Sequence, residues 1–334
     1  TGLSDKLLPL IDKFMDNRQV IANRLASKRV GSNYPTTGKY QGTAIAGLPY
    51  KPNGYPELGY GVESGTDGYA LNSQEVLIPA FLSAYSGGSA GNIFLDAIPS
   101  LAHIQPNWRI SYDGLGKIKP FNKVMRSFDI SHAYRSTYSV GSFLTNLDWE
   151  DSGGGISFIR DLQDNFIPEL QISTVSLTEQ FSPLIQFNIT WINNLTTRAE
   201  IKNGRTLSLS LTGNQVIENY TKEYVIGLGY RFDKLAMILG KGSDAKSITS
   251  DLNLRADLSI RDNFSIIRKV QEQVNQLTSG MKIITLKFTA DYAFTQRFNM
   301  QVFYDKSINK PYISSSYPIK TTNYGVSFRF ALTQ

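Results

Sequence analysis

A Gly-x-Ser-x-Gly run, Gly87-Gly88-Ser89-Ala90-Gly91, is followed by Asp96 and His103 in the order of an α/β-hydrolase triad. Its chemistry would be acyl transfer from Ser89. That chemistry needs a strand before the serine and a helix after it, so that the hydroxyl stands on a sharp turn. Here the segment before Ser89 has helical spacing and Asn92 to Ile98 reads as extended, so the run is expected to be a loop of small residues. Asp148, Glu150 and Asp151 beside Gly153 to Gly155 offer carboxylates for calcium, but their spacing lacks the EF-hand pattern and reads as a solvated acidic loop. The 334 residues include no cysteine, so neither a thiolate nor a cysteine-ligated metal is available. With no phosphate loop and no convincing dyad, the expectation is a protein without catalysis or cofactor.

Composition narrows the class. Aromatic residues make up 12% of the chain and charged residues only 19%. Apolar residues are spread out, with no run approaching the roughly 18 needed for a membrane helix. If the chain spans a membrane, it must do so as a barrel, because lipid offers no partner for unpaired backbone groups. The net charge of +6 includes no block of Lys or Arg, which argues against nucleic acid and fits solvated loops with a polar lumen.

Two textures divide the chain. Residues 1–104 show little alternation. Leu7, Leu8, Ile11, Phe14, Met15, Ile21 and Leu25 suggest one or two amphipathic helices. A turn-rich stretch follows from Gly31 to Tyr69, and then a short helix from Ser73 to about Tyr85, interrupted by Pro79. This third is expected outside a bilayer, or folded over or into a lumen. From residue 105 to 334 period-two segments recur, giving an all-β, antiparallel wall.

The alternation is clearest late in the chain. Leu252, Leu254, Ala256, Leu258 and Ile260 share a face opposite Asp251, Asn253, Arg255, Asp257 and Ser259. Ile284 to Phe294 sets apolar residues against Thr285, Lys287, Thr289 and Asp291. The end of the chain sets Tyr324, Val326, Phe328, Phe330 and Leu332 against Gly325, Ser327, Arg329 and Ala331, the texture of a closing barrel strand. Asp251, Arg255, Asp257, Lys287, Asp291 and Arg329 are the candidate lumen-facing charges, expected to pair across strands. Trp149, Trp191, Tyr230 and Tyr304 are candidates for an aromatic girdle, against the alternative of soluble-core aromatics.

Polar turns are expected at Thr178 to Phe181, Gly213 to Gln215, Arg261 to Phe264 and Thr295 to Phe298. Longer connections are expected at about 140–166, 233–249, 271–280 and 306–321, with 193–197 a shorter exception. Short turns on one side and long loops on the other is the asymmetry of outer-membrane barrels, and the count comes to about eleven strands. An odd count implies the last portion of a larger barrel, its free edge pairing with a strand upstream of Thr1 or in a separate polypeptide. Since Thr1 is no initiator Met and no signal segment precedes the fold, the chain is expected to be processed or a fragment.

One strand breaks its pattern. On Phe128 to Val140, the face of Phe128, Ile130, Tyr134, Tyr138 and Val140 also carries His132 and Ser136. Bare lipid penalises both. A β-bulge or a position above the hydrocarbon would explain them, and so would a face that meets a protein partner or an opening.

Five stretches resemble the C-terminal region of the SprA/Sov family, the outer-membrane translocon of type 9 secretion. They are Asp16 to Ile21, Pro106 to Ile110, Ser127 to Phe143 (SFDISHAYRSTYSVGSF), Leu252 to Phe264 (LNLRADLSIRDNF) and Gly325 to Gln334. The resemblance implies a bacterial outer-membrane location and a very large barrel that exports folded cargo proteins. It also implies a lateral opening and partners that gate it, among them a PorV-like small barrel and a periplasmic plug protein. Two other classes share parts of the pattern: a TonB-dependent transporter barrel, and a soluble β-rich adhesin or glycan-binding module.

Overall fold

The computed structural model describes residues 4–62, 65–98, 106–239, 246–270, 274–295, 297–313 and 316–331, without the side chains of residues 4–9, 239, 246 and 274. Helix α1 spans Ser4–Arg29 as one continuous element, with Pro9 in its first two turns. Its buried residues Ile11, Phe14, Ile21, Ala22, Leu25 and Ala26 fall at helical spacing along one side. Lys28 and Arg29 complement the dipole in the last turn, and Gly31, at φ 100°, ends the helix.

Helix α2, Gln74–Tyr85, is buried all round from Val76 to Tyr85. The expected break at Pro79 does not occur. Packing on every side outweighs the one backbone hydrogen bond that the proline removes. Asn17 Nδ2 donates to Ser83 Oγ at 2.7 Å and Phe14 packs edge-on against Phe81, which together tie α2 to α1. The intervening turns include a small hairpin of β1 (Gly54–Tyr55) and β2 (Tyr60–Gly61).

Nine strands follow in one antiparallel sheet in strict sequence order: β3 (Trp108–Tyr112), β4 (Met125–Thr145), β5 (Leu170–Trp191), β6 (Leu195–Ser210), β7 (Gln215–Leu239), β8 (Lys246–Lys269), β9 (Val274–Thr295), β10 (Phe298–Pro311) and β11 (Ile319–Phe330). Among the described residues the sheet has nine strands, which corrects the expected count of about eleven. Two expected turns are strand interior. Thr178 pairs with both Thr137 and Thr206, and Arg261, Asp262 and Asn263 lie in mid-β8 with partners on both sides. A polar triplet looks like a turn in isolation; here each triplet is paired in register with a strand on either side.

The turns at Gly213 to Gln215 and Thr295 to Phe298 are at strand ends. The expected segregation of loop length is not seen. Residues 146–169 and 211–214 connect strands at the end nearer the helices, while 113–124 and 192–194 connect them at the other. Each end therefore mixes long and short connections.

Candidate functional surface

Strict register makes each face of the sheet readable in rows. One row runs Ile130, Phe187, Ala199, Ile226, Leu258, Leu286 from β4 to β9, and another runs Leu228, Ala256, Phe288, Tyr304, Tyr324 from β7 to β11. Stacked rows form an apolar belt nine residues tall on β7 and β8, Tyr224 to Phe232 and Leu252 to Ile260. The belt is open: Ile226 is 56% exposed, Leu228 51% and Phe328 56%. Isolated exposed apolar residues need no explanation, but a belt that runs from β4 to β11, interrupted on β10 by Lys306 opposite Leu286, does.

Aromatic residues line the far rim of this belt. Phe298 stacks on Phe294 at 5.1 Å and on Phe330 at 4.5 Å. Trp191, whose indole N–H donates to Thr197 Oγ1 at 3.1 Å, and Tyr230 sit at the same rim. The rim nearer the helices has Tyr220 stacked on Phe264 at 5.3 Å. Of the four girdle candidates, Tyr304 is instead at mid-height, opposite Phe288 and Tyr324. Trp149 is off the sheet in the β4–β5 connection, on the wall of a cavity beside α2. A tryptophan in a loop carries no periodicity to place it.

The opposite face is polar. Asp251, Arg255, Asp257, Lys287, Asp291 and Arg329 all share it. Asp257 stands directly across from Lys287, Arg231 ion-pairs with Asp251, and Gln301 Nε2 donates to Asp291 at 2.6 Å. The densest network joins β6, β7 and β8. Lys202 bridges Glu200 and Glu223 at 3.5 and 3.7 Å, Arg198 meets Glu200 at 2.5 Å, and Arg261 meets Glu223 at 2.9 Å. Its signal was Arg198, Glu200 and Lys202 at spacing two.

His132 and Ser136 lie on the apolar face. The β4–β5 register shifts between Ser131 and Tyr134, and His132 Nδ1–H donates to Leu184 O at 2.6 Å inside that bulge. Its ring sits 6.3 Å from Trp108 and 5.9 Å from Phe181. The Ser136 N–H, beyond the end of β3, donates to Asn107 Oδ1 at 2.6 Å. On the closing strand, Tyr324, Val326, Phe328 and Phe330 face the apolar side; Leu332 lies outside the described residues.

The helices cover the apolar face at one end. Val175 and Leu177 of β5, Leu207 and Leu209 of β6 and Val216 of β7 join α1 and α2 in one core. Val216 and Tyr224 are eight residues apart on a strand with unbroken register to β6, so the covered patch and the open belt are one side of the sheet. Arg205 Nη2 donates to Tyr85 O at 3.2 Å, and the buried Glu218 and Arg268 pair at 3.2 Å beneath the helices.

The β4–β5 connection closes this core from the other side. Phe166 packs under two guanidinium groups, Arg29 at 3.7 Å and Arg160 at 4.6 Å from its ring centroid. Arg160 forks onto buried Asp67 at 3.0 and 2.8 Å, while Tyr34 Oη donates to the same carboxylate at 2.6 Å. A cavity of about 380 Å³ remains between α2 and the connection, lined by Lys28, Arg29, Glu75, Asp96, Trp149 and Glu169 among others. Burial pushes the Glu75 carboxyl up to about 7 against the pull of Arg29 and Lys28.

Ser89 follows helix α2 and a glycine turn rather than a strand, and its Oγ accepts from Gly91 N–H at 3.3 Å. The elbow geometry is missing; His103 lies outside the described residues. Asp151 Oδ1 accepts from the N–H groups of Gly153 and Gly155 at 2.8 and 3.0 Å, which ties the acidic loop to its own backbone.

No protein-family model matches this chain, and no curated protein matches it. What fold and surface define is a class: an antiparallel β-sheet protein with one apolar and one charged face.

Proposed function

We propose that the sheet is part of the wall of a large outer-membrane barrel, apolar face to lipid and charged face to a hydrated lumen. The belt carries this reading. Nine residues rise about 30 Å along a strand, which a tilt of about 40° turns into about 23 Å of height, close to the roughly 25 Å apolar band of such barrels. Strands of up to 25 residues then continue well past the bilayer. Their continuation carries the helical module, which in this reading clasps the outside of the wall rather than filling the lumen.

The sheet needs more strands. Among the described residues the outer edges of β3 and β11 are unpaired, and in a nine-strand antiparallel order these two run in the same direction. They cannot close on each other in the antiparallel manner, and open edges are not tolerated in lipid. The remaining strands come from elsewhere, in the same polypeptide or another. The resemblance to the SprA/Sov translocons supplies the cargo and partners of the proposal: folded proteins crossing a polar lumen, a PorV-like barrel and a periplasmic plug. Gating would come from exchange of those partners.

The lack of cysteine makes the test direct. Single cysteines at Ile226 and Leu228 are expected to resist a water-soluble maleimide in intact membranes, while cysteines at Val225 and Asn253 react. Equal reaction on both faces, or recovery of the protein in the aqueous fraction, defeats the wall.

A further inference from the structure

Immediately above the belt, on the same face, one row is charged. Lys222 of β7 pairs with Asp262 of β8, Asp262 with Lys282 of β9, and Lys282 with Lys310 of β10. Lys320 of β11 lies one row below, opposite Ile308. Two lysines directly opposed across a strand pair repel each other. The row holds a single carboxylate, and that one is shared: Asp262 receives Tyr312 Oη and stands 3.8 Å from Lys282 Nζ. Among the described residues Lys222, Lys310 and Lys320 have no carboxylate within ion-pair distance. Beneath them runs an apolar row, Tyr224, Ile260, Ile284 and Ile308.

We propose that Lys282, Lys310 and Lys320 hold the phosphate-bearing headgroup of a membrane lipid, with its acyl chains along Ile260, Ile284 and Ile308. The proposal rests on the wall reading. Adjacent strands set their Cα atoms about 5 Å apart, so the flexible ammonium stems of Lys282, Lys310 and Lys320, on the neighbouring strands β9 to β11, can converge on one anion. A phosphate relieves the Lys282–Lys310 repulsion, which solvent alone only screens. The placement matches where a lipid offers its charge: at the top of the apolar belt, beside the phenol of Tyr312, which suits the interface.

The test uses the full chain, extracted from its membrane and reconstituted into nanodiscs of phosphatidylglycerol mixed with an uncharged glycolipid. Native mass spectrometry counts retained lipid for the unmodified chain, for Lys282→Gln/Lys310→Gln, and for Lys282→Arg/Lys310→Arg. With each interfacial lysine contributing on the order of a fivefold preference, the glutamine pair is expected to lose about 25-fold in phosphatidylglycerol retention over glycolipid. The arginine pair should keep it. Equal retention by the glutamine pair overturns the site. So does full displacement of the lipid by millimolar inorganic phosphate, which would mark an anion site indifferent to lipid. Failure of the wall reading looks different: the unmodified chain would not enter nanodiscs at all.

Discussion

His132 Nδ1–H donates to Leu184 O at 2.6 Å, at the point where β4 and β5 lose register. An imidazole on an otherwise apolar face thus has a local task, satisfying a carbonyl that the bulge removes from the ladder. His132→Leu leaves that oxygen unpaired and is expected to cost about 1–3 kcal/mol. Hydrogen exchange should rise around residues 182–185, while retention of partner proteins in a pull-down stays unchanged. Lost partner retention with unaltered exchange would instead make His132 an interface residue.

Phe166 links the β4–β5 connection to the helical module through Arg29 and Arg160. Phe166→Ala removes a buried ring and the platform for both cations, at an expected cost of about 3–5 kcal/mol. Limited proteolysis should then cut within residues 146–169 while the sheet stays intact. Resistance equal to the unmodified chain would show that the Asp67–Arg160 pair alone suffices.

Glu75 predicts a pH dependence for the same module. Its carboxyl titrates near 7 in the fold and near 4.5 when unfolded, so the folded state binds more protons between those values. Stability of the module is expected to fall as pH rises from about 4.5 to about 7 and to stay lower above, by at most about 3 kcal/mol. Glu75→Gln should flatten that slope, with its gain visible at pH 8 and absent at pH 4.5. Thermal melts across this range decide it.

If one face of the sheet meets lipid, as proposed, the two faces tolerate charge oppositely. Ile226→Arg puts a guanidinium at mid-belt and is expected to cost about 2–4 kcal/mol of membrane stability. Asp257→Asn on the other face should leave insertion unchanged. Membrane fractionation of the two variants compares them; equal insertion would remove the lipid assignment.

Much of this was legible in the chain. The faces of β8 and β9 follow from Leu252 to Ile260 and Ile284 to Phe294 because side chains alternate at a period of two whatever the partner strand. The same rule put Asp251, Arg255, Asp257, Lys287, Asp291 and Arg329 together. Strand ends were not legible: Arg261-Asp262-Asn263 is a turn by composition and a strand by pairing, since Glu223, Lys222 and Lys282 sit across from it. Nor was the continuity of α2 through Pro79, which depends on burial that no local pattern reports.

The sequence by itself determined that there are two chemically opposed faces and a helical third before them, because periodicity is a local property of the backbone. Only the tertiary structure decided that nine strands in sequence order carry those faces and that α1 and α2 pack over the apolar one. An apolar residue such as Val216 or Ile226 is encoded alike whether a helix or another phase will cover it. Burial is a property of what stands opposite, and that is set by chain segments far away in the sequence.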